Sequence, residues 1–173
     1  MHEDGDGPLS VADAGGGANS ILAPKKKPWF ATFGWANPCT TTGDLIVVDD
    51  VRYQFKVTPL SVRTLAFDAR RWRGTTGIGS TKGTPQAQLA SDEVRGKILG
   101  PAEGFKVTVT CGEASQSEDQ LLQLLTVLKA GARGAEVTDY LIDYTAGGKD
   151  YTLKVNWQLV ACGTATSPNM CQP

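Results

Sequence analysis

Imidazole is almost absent from this chain: its one histidine is His2. A Ser-His or Cys-His pair therefore has no base to build on, because such a nucleophile needs an imidazole within hydrogen-bond reach. No CxxC spacing occurs among the four cysteines, Cys39, Cys111, Cys162 and Cys171. A zinc site would have to gather all four thiolates from unrelated loops, so neither a metal nor a cofactor is expected. No run of eighteen apolar residues exists, which leaves no helix to span a bilayer. The opening MHEDGDGPLS is acidic and polar where a secretory signal is basic and then apolar, so no signal is expected there. Excess charge of one sign is also lacking. With 17 Lys and Arg against 18 Asp and Glu, the net charge is −1, and no whole-molecule field calls for nucleic acid.

At 173 residues the chain suits one domain with a proper core. Residues 1–28 read as a flexible arm, since DGDGP and AGGGANS have little to bury and much backbone entropy to lose. Residues 29–163 read as a single β-rich domain, and 164–173 as a tail.

Strand signals dominate that domain. In DLIVVDDVRYQFKVTP, Val51, Tyr53, Phe55 and Val57 alternate with Arg52, Gln54, Lys56 and Thr58. Period-two alternation marks a strand with one buried face and one wet face. FKVTVTC repeats the pattern and puts Cys111 on the core side. SDEVRGKIL suggests a further short strand. EVTDYLIDYTAGGKDYTLKVNWQLVAC reads as a long hairpin turning at Gly147-Gly148, with Tyr151, Leu153, Val155, Trp157, Leu159 and Ala161 on one apolar face. SQSEDQLLQLLTVLKAG predicts the one helix, over about 116–130. Ser115 with Glu118, and Ser117 with Gln120, form capping-box spacings, and Leu121, Leu124, Leu125 and Leu128 make a stripe at helical period. The expected fold is mainly β (α+β): an antiparallel β-sandwich or partly closed barrel with that helix on its flank.

The densest unexplained feature is KKKPWFATFGW. Lys25, Lys26 and Lys27 precede Trp29, Phe30, Phe33 and Trp35, four of only 13 aromatics in the chain. Read as a strand, Trp29, Ala31, Phe33 and Trp35 share a face. They would fill this domain's own core, or a neighbouring copy's core if the arm is exchanged, or lie on a membrane surface. ARRWRG is the second candidate: Arg70, Arg71 and Arg73 around Trp72 could grip phosphate, a carboxylate surface or a base stack, or form a surface turn with the indole tucked inward. Asp139 and Asp143, four strand positions apart, stand about 13 Å from one another, too far for a glycosidase pair, with Asp150 near the hairpin tip. GTTGIGSTKGTPQAQ, residues 74–88, holds glycines, hydroxyls and Lys82 but not the spacing of a phosphate loop. Three disulfide pairings are open, Cys162 with Cys171 being the easiest to close across a flexible GTATSPNM.

A mainly β domain with an arm, a long loop and no catalytic apparatus points to a non-enzymatic structural assembly subunit. Virion shell, neck and tail subunits share that plan, and its partners would be copies of itself and neighbouring structural proteins. The alternative is an exported envelope or surface binding domain stabilised by disulfides.

Overall fold

Side-chain alternation sets the architecture in the computed structural model, which describes residues 7–11 and 15–173. In chain order the elements are β1 (Leu9–Val11), β2 (Gly17–Ile21), β3 (Trp29–Ala36), β4 (Pro38–Thr40), β5 (Ile46–Val57), β6 (Ser61–Trp72), β7 (Thr75–Thr76), β8 (Ser80–Lys82), α1 (Pro85–Ala90), β9 (Arg95–Pro101), β10 (Lys106–Val107), α2 (Cys111–Gln116), β11 (Gln120–Ala130), β12 (Ala135–Ala146), β13 (Lys149–Val155) and β14 (Trp157–Ala161). A 3-10 turn at Pro168–Met170 follows. No helix among the described residues is long and apolar enough to cross a membrane.

The protein is mainly β, its curled sheets forming a half-barrel. One sheet runs β10-β5-β12-β14-β2, with β13 also paired to β12. The other runs β7-β6-β11-β3-β8, with β9 also paired to β6. β1 and β4 make a small separate pair. All ladders are antiparallel except β14 with β2. The expected hairpin is present: Gly147 and Gly148 take φ +57 and +75, the left-handed conformation a two-residue turn between β12 and β13 needs. The second arm's apolar face also holds, although the ladder passes from β13 to β14 at Asn156.

The main core lies between the sheets. Ile46, Val48, Tyr140, Ile142, Tyr144, Leu153 and Leu159 come from one side, and Trp29, Phe33, Ala66, Leu124 and Leu128 from the other. Tyr53 ties the layers together: its hydroxyl hydrogen-bonds Thr64 Oγ1 at 2.6 Å and Thr126 Oγ1 at 2.9 Å. Burial pushes the Tyr53 phenol up to about 12, so it stays neutral and bonded.

A second, smaller core covers the outer face of the β6-β11-β3 sheet. Leu65, Phe67, Ala69, Leu125 and Val127 meet Ile78, Leu89, Val94 and Ile98 there. The cover is the Gly/Thr segment itself, folded into β7, β8 and α1, whose first turn is capped by the Thr84 hydroxyl accepting from Ala87 N–H.

This two-sided burial corrects the helix expected at about 116–130. Only Cys111–Gln116 is helical there, capped by Thr110 and Glu113 in a capping box one turn earlier than the spacings suggested. Gln120–Ala130 is the central strand β11, paired with both β6 and β3. Leu124 and Leu128 face the main core while Leu125 and Val127 face the second one. A strand buried on both faces has an almost continuous apolar run, and such a run imitates a helical stripe.

Three further expectations change. FKVTVTC is a strand only at Lys106–Val107, and Cys111 instead opens α2. Of the expected arm, residues 1–6 and 12–14 lie outside the described residues. Within the rest, Leu9 and Val11 are buried in the main core and Gly17–Ile21 pairs with β14, because both segments supply strands to edges that would otherwise be open. The segment 164–173 folds back on the domain through the Cys162–Cys171 disulfide.

Helical periodicity leaves Val127 off the Leu stripe, whereas strand geometry buries it at 1% exposure. Val127→Ala should therefore cost about 2 kcal/mol in denaturant unfolding, from two buried methyl groups and the cavity left behind. A helix exposing that position would give a change near zero.

Candidate functional site

The basic-aromatic stretch splits in the structure. Lys25, Lys26 and Lys27 lie exposed in the connection from β2 to β3. Trp29 and Phe33 fill this domain's own main core, and Phe30 packs on the second core beneath Lys129, whose Nζ is 5.8 Å from the ring centroid. Trp35 departs from its expected face. Opposite β3 the register jumps from Leu124↔Ala36 to Thr126↔Phe33, so Gly34 and Trp35 together face one residue. That bulge turns Trp35 outward, leaving it 39% exposed.

Gln123 holds the bulge. Its buried amide donates to Gly34 C=O at 2.5 Å and Ile78 C=O at 3.0 Å, and accepts from Ile78 N–H at 2.9 Å. Gly34 N–H donates to Gly79 C=O at 2.8 Å, and a side chain at Gly34 would collide with Ile78 O. The ejected Trp35 stacks on Trp157 of the facing sheet, centroids 6.0 Å apart and planes 18° apart. Trp35 Nε1–H donates to Ser80 Oγ at 3.0 Å, and the Asn19 amide, assigned with its oxygen toward the indoles, accepts from Trp157 Nε1–H at 2.9 Å and lies 3.0 Å from Trp35 Nε1. This stacked pair bridges the two sheets from β3 and β14, the strands next to the edge strands β8 and β2.

ARRWRG is brought together with β9 and the 117–119 turn. Arg95 lies over the Trp72 ring, 3.4 Å from its centroid, and Trp72 Nε1–H donates to Asp92 C=O at 3.0 Å. Each arginine has an acid partner: Arg70 with Asp68, Arg71 with Glu118, and Arg73 with Asp92. The cluster is thus neutralised from within, and its geometry is that of an indole clamped between strands. All these pairs are largely solvent-exposed, so each adds little stability.

Asp143 is bound bidentately by Arg52, and also accepts from Thr152 at 2.6 Å. The Arg52 hydrogen bond holds its carboxyl below the usual range against a smaller opposing effect of burial. Asp49 and Asp150 approach one another more closely than sequence spacing implies, both within reach of the Thr145 hydroxyl, at 2.8 and 3.2 Å. The three carboxylates line an open depression on the outer face of β12. No group of His, Cys, Asp and Glu able to hold a metal is found among the described residues. A cavity of about 270 Å³ lies between β11 and α2, lined by Pro38, Val109, Ala114, Leu121 and Leu122.

The four cysteines form two disulfides, Cys39–Cys111 and Cys162–Cys171. The second lies beside an acid that sequence patterning did not single out. Glu136 is fully buried in β12, where its carboxylate accepts from Ser167 N–H at 2.8 Å, Ser167 Oγ–H at 2.6 Å and Gln158 Nε2 at 2.8 Å. Lys56 Nζ stands 3.6 Å away. Burial alone would raise this pKa. The Ser167 hydroxyl and amide, Gln158 and Lys56 outweigh it and hold the carboxyl below its usual range. Only the i/i+1 apolar surroundings in AEVTDY gave any hint of its burial.

No protein-family model, curated protein or solved structure matches this chain.

Two predictions follow from these bonds. Gln123→Ala strands three backbone groups in the interior, so stability should fall by about 2–4 kcal/mol, and Trp35 emission should shift as the bulge relaxes. Glu136 and Asp143 both have depressed folded-state pKa values, so their contribution is present above the unfolded value and is lost as pH falls through the folded one. Unfolding free energy should therefore drop as pH falls below about 4.3. Glu136→Gln should cost about 1–3 kcal/mol at pH 7 and flatten that acid slope in urea titrations.

Proposed function

We propose that this chain is a non-enzymatic structural subunit of the virion class (shell, neck or tail) that assembles with copies of itself. The supporting observation is the open side of the half-barrel. β5 pairs with β12 along one edge, but its other edge pairs with β10 only at Ile46 and Val47, with Val48 bonded to the 104–105 backbone. From Asp49 to Val57 no strand among the described residues covers that edge. β9, on the other sheet, likewise pairs only with β6 and carries Leu99, 44% exposed. Val51 N–H on the β5 edge donates to Asp50 Oδ1 at 2.8 Å, and a row of otherwise open N–H and C=O groups is a template for a neighbour's strand that a monomer normally shields. The virion assignment rests on likeness of plan, a β-sandwich with short flanking helices.

A second reading is favoured by a separate observation. Two disulfides are compatible with an extracellular or otherwise oxidising location, as for an exported envelope or surface domain.

Light scattering combined with amide hydrogen exchange tests the assembly reading. Species larger than the monomer are expected, with amides in 49–57 that exchange quickly in dilute solution becoming protected as the species grow. A strict monomer at the highest soluble concentration, with this edge unprotected, would overturn it. Intact disulfides in such a monomer would favour the exported domain.

A further inference from the structure

The registers place charge unevenly along the strand axis. One end of the half-barrel gathers the connection 22–28, the end of β5, the turn 131–134 and the end of β14. Lys25, Lys26, Lys27 and Arg133 are exposed there, with Lys82 opposite Ala31 and Lys129 opposite Phe30 on either side of β3. None of these six forms an ion pair among the described residues. Of the described acids, Glu136 at that end is buried and already bonded to Ser167 and Gln158, and Glu103 lines a shallow depression with Val62 and Arg63 near the start of β6. Leu22 and the 63% exposed Leu60 add apolar surface among the cations.

The opposite end gathers the start of β5, the β12–β13 turn, α2, the loop before β9 and the loop after β10. Its arginines, Arg70, Arg71, Arg73 and Arg95, are all held by local acids. Outside ion pairs there stand Asp44, Asp49, Asp50, Glu93, Glu113 and Asp150, against Lys97, Lys106 and Lys149. Leu45 is 48% exposed amid these carboxylates. The ends are thus complementary: one cationic and apolar, the other anionic and apolar. A near-zero net charge conceals this polarity.

We infer that copies of this chain stack head to tail, the Lys25–Lys27 end of one seated on the Asp44/Asp49/Asp150 end of the next. This rests on the assembly reading above and gives it a direction. Two unlike patches on one molecule make a heterologous contact, which closes into a ring or continues as a filament. Complementary charge fixes such a register and speeds encounter, while the leucines supply area that leaves water.

Sedimentation velocity tests the stacking with three proteins: wild type, K25E/K26E/K27E and D44K/D49K/D150K. All six positions are exposed, and circular dichroism checks that the folds are retained. Wild type should form larger species at about 0.05 M salt that dissociate by about 0.5 M, as screening shortens the reach of these charges. Each variant alone should associate at least about tenfold more weakly. An equimolar mixture should regain assembly, because each reversed end then meets an opposite one. If wild type assembles but neither reversal changes it, or the mixture fails to recover, stacking is overturned while assembly stands. If wild type is monomeric at every salt concentration, both readings fall. Monomeric wild type that binds anionic vesicles or duplex DNA through Lys25–Lys27 would replace the second copy with that partner.

Discussion

Burial of β11 on both faces is the constraint on which the rest of this fold depends. A strand with Leu124 and Leu128 on one side and Leu125 and Val127 on the other needs a cover on each. The facing sheet supplies one through Tyr140, Ile142 and Leu153, and the 78–98 region supplies the other. A Gly/Thr-rich stretch that looks like a loose loop is therefore held as a lid over apolar surface. Two buried polar side chains bond the lid to β3: Gln123, with every donor and acceptor it uses satisfied, and Thr32, whose hydroxyl donates to Gly83 C=O at 2.7 Å.

The same bond network reaches the molecule's surface chemistry. Because Gln123 stabilises the bulge at Gly34, Trp35 leaves the core and stacks on Trp157, bridging the two sheets. The side along β5 and β9 stays open. Disulfides brace both ends, Cys39–Cys111 where β4 meets α2 and Cys162–Cys171 where the chain folds back beside Glu136. In the assembly proposed above, ends braced by disulfides would lose little to reorganisation on association.

Much of this was legible beforehand. The alternation in 51–57, the hairpin turning at Gly147-Gly148 and the apolar face from Tyr151 to Ala161 are local patterns, and they hold. The helix expected at about 116–130 fails for a physical reason: Leu121, Leu124, Leu125 and Leu128 fit a helical stripe and a doubly buried strand equally well. Their neighbours in sequence carry no information about the second cover. Two described segments of the expected arm depart similarly. LSV and GANSI are weak strands alone and become strands because β4 and β14 offer open edges. For the candidate surfaces, composition identified the aromatics and arginines but not their pairing. Arg70, Arg71 and Arg73 look like a free basic cluster until Arg70 pairs with Asp68 on its own strand and Glu118 and Asp92 arrive from other segments.

Sequence by itself determined the mainly β class, the hairpin and the residues available for a core. These follow from periodicity and composition, which act over a few residues. Tertiary structure alone decided the disulfide partners, the outward turn of Trp35, the burial of Glu136 and the division of charge between two ends. Each of those depends on segments far apart in sequence meeting across a ladder or a core, and the register of that meeting is set by packing of the whole domain.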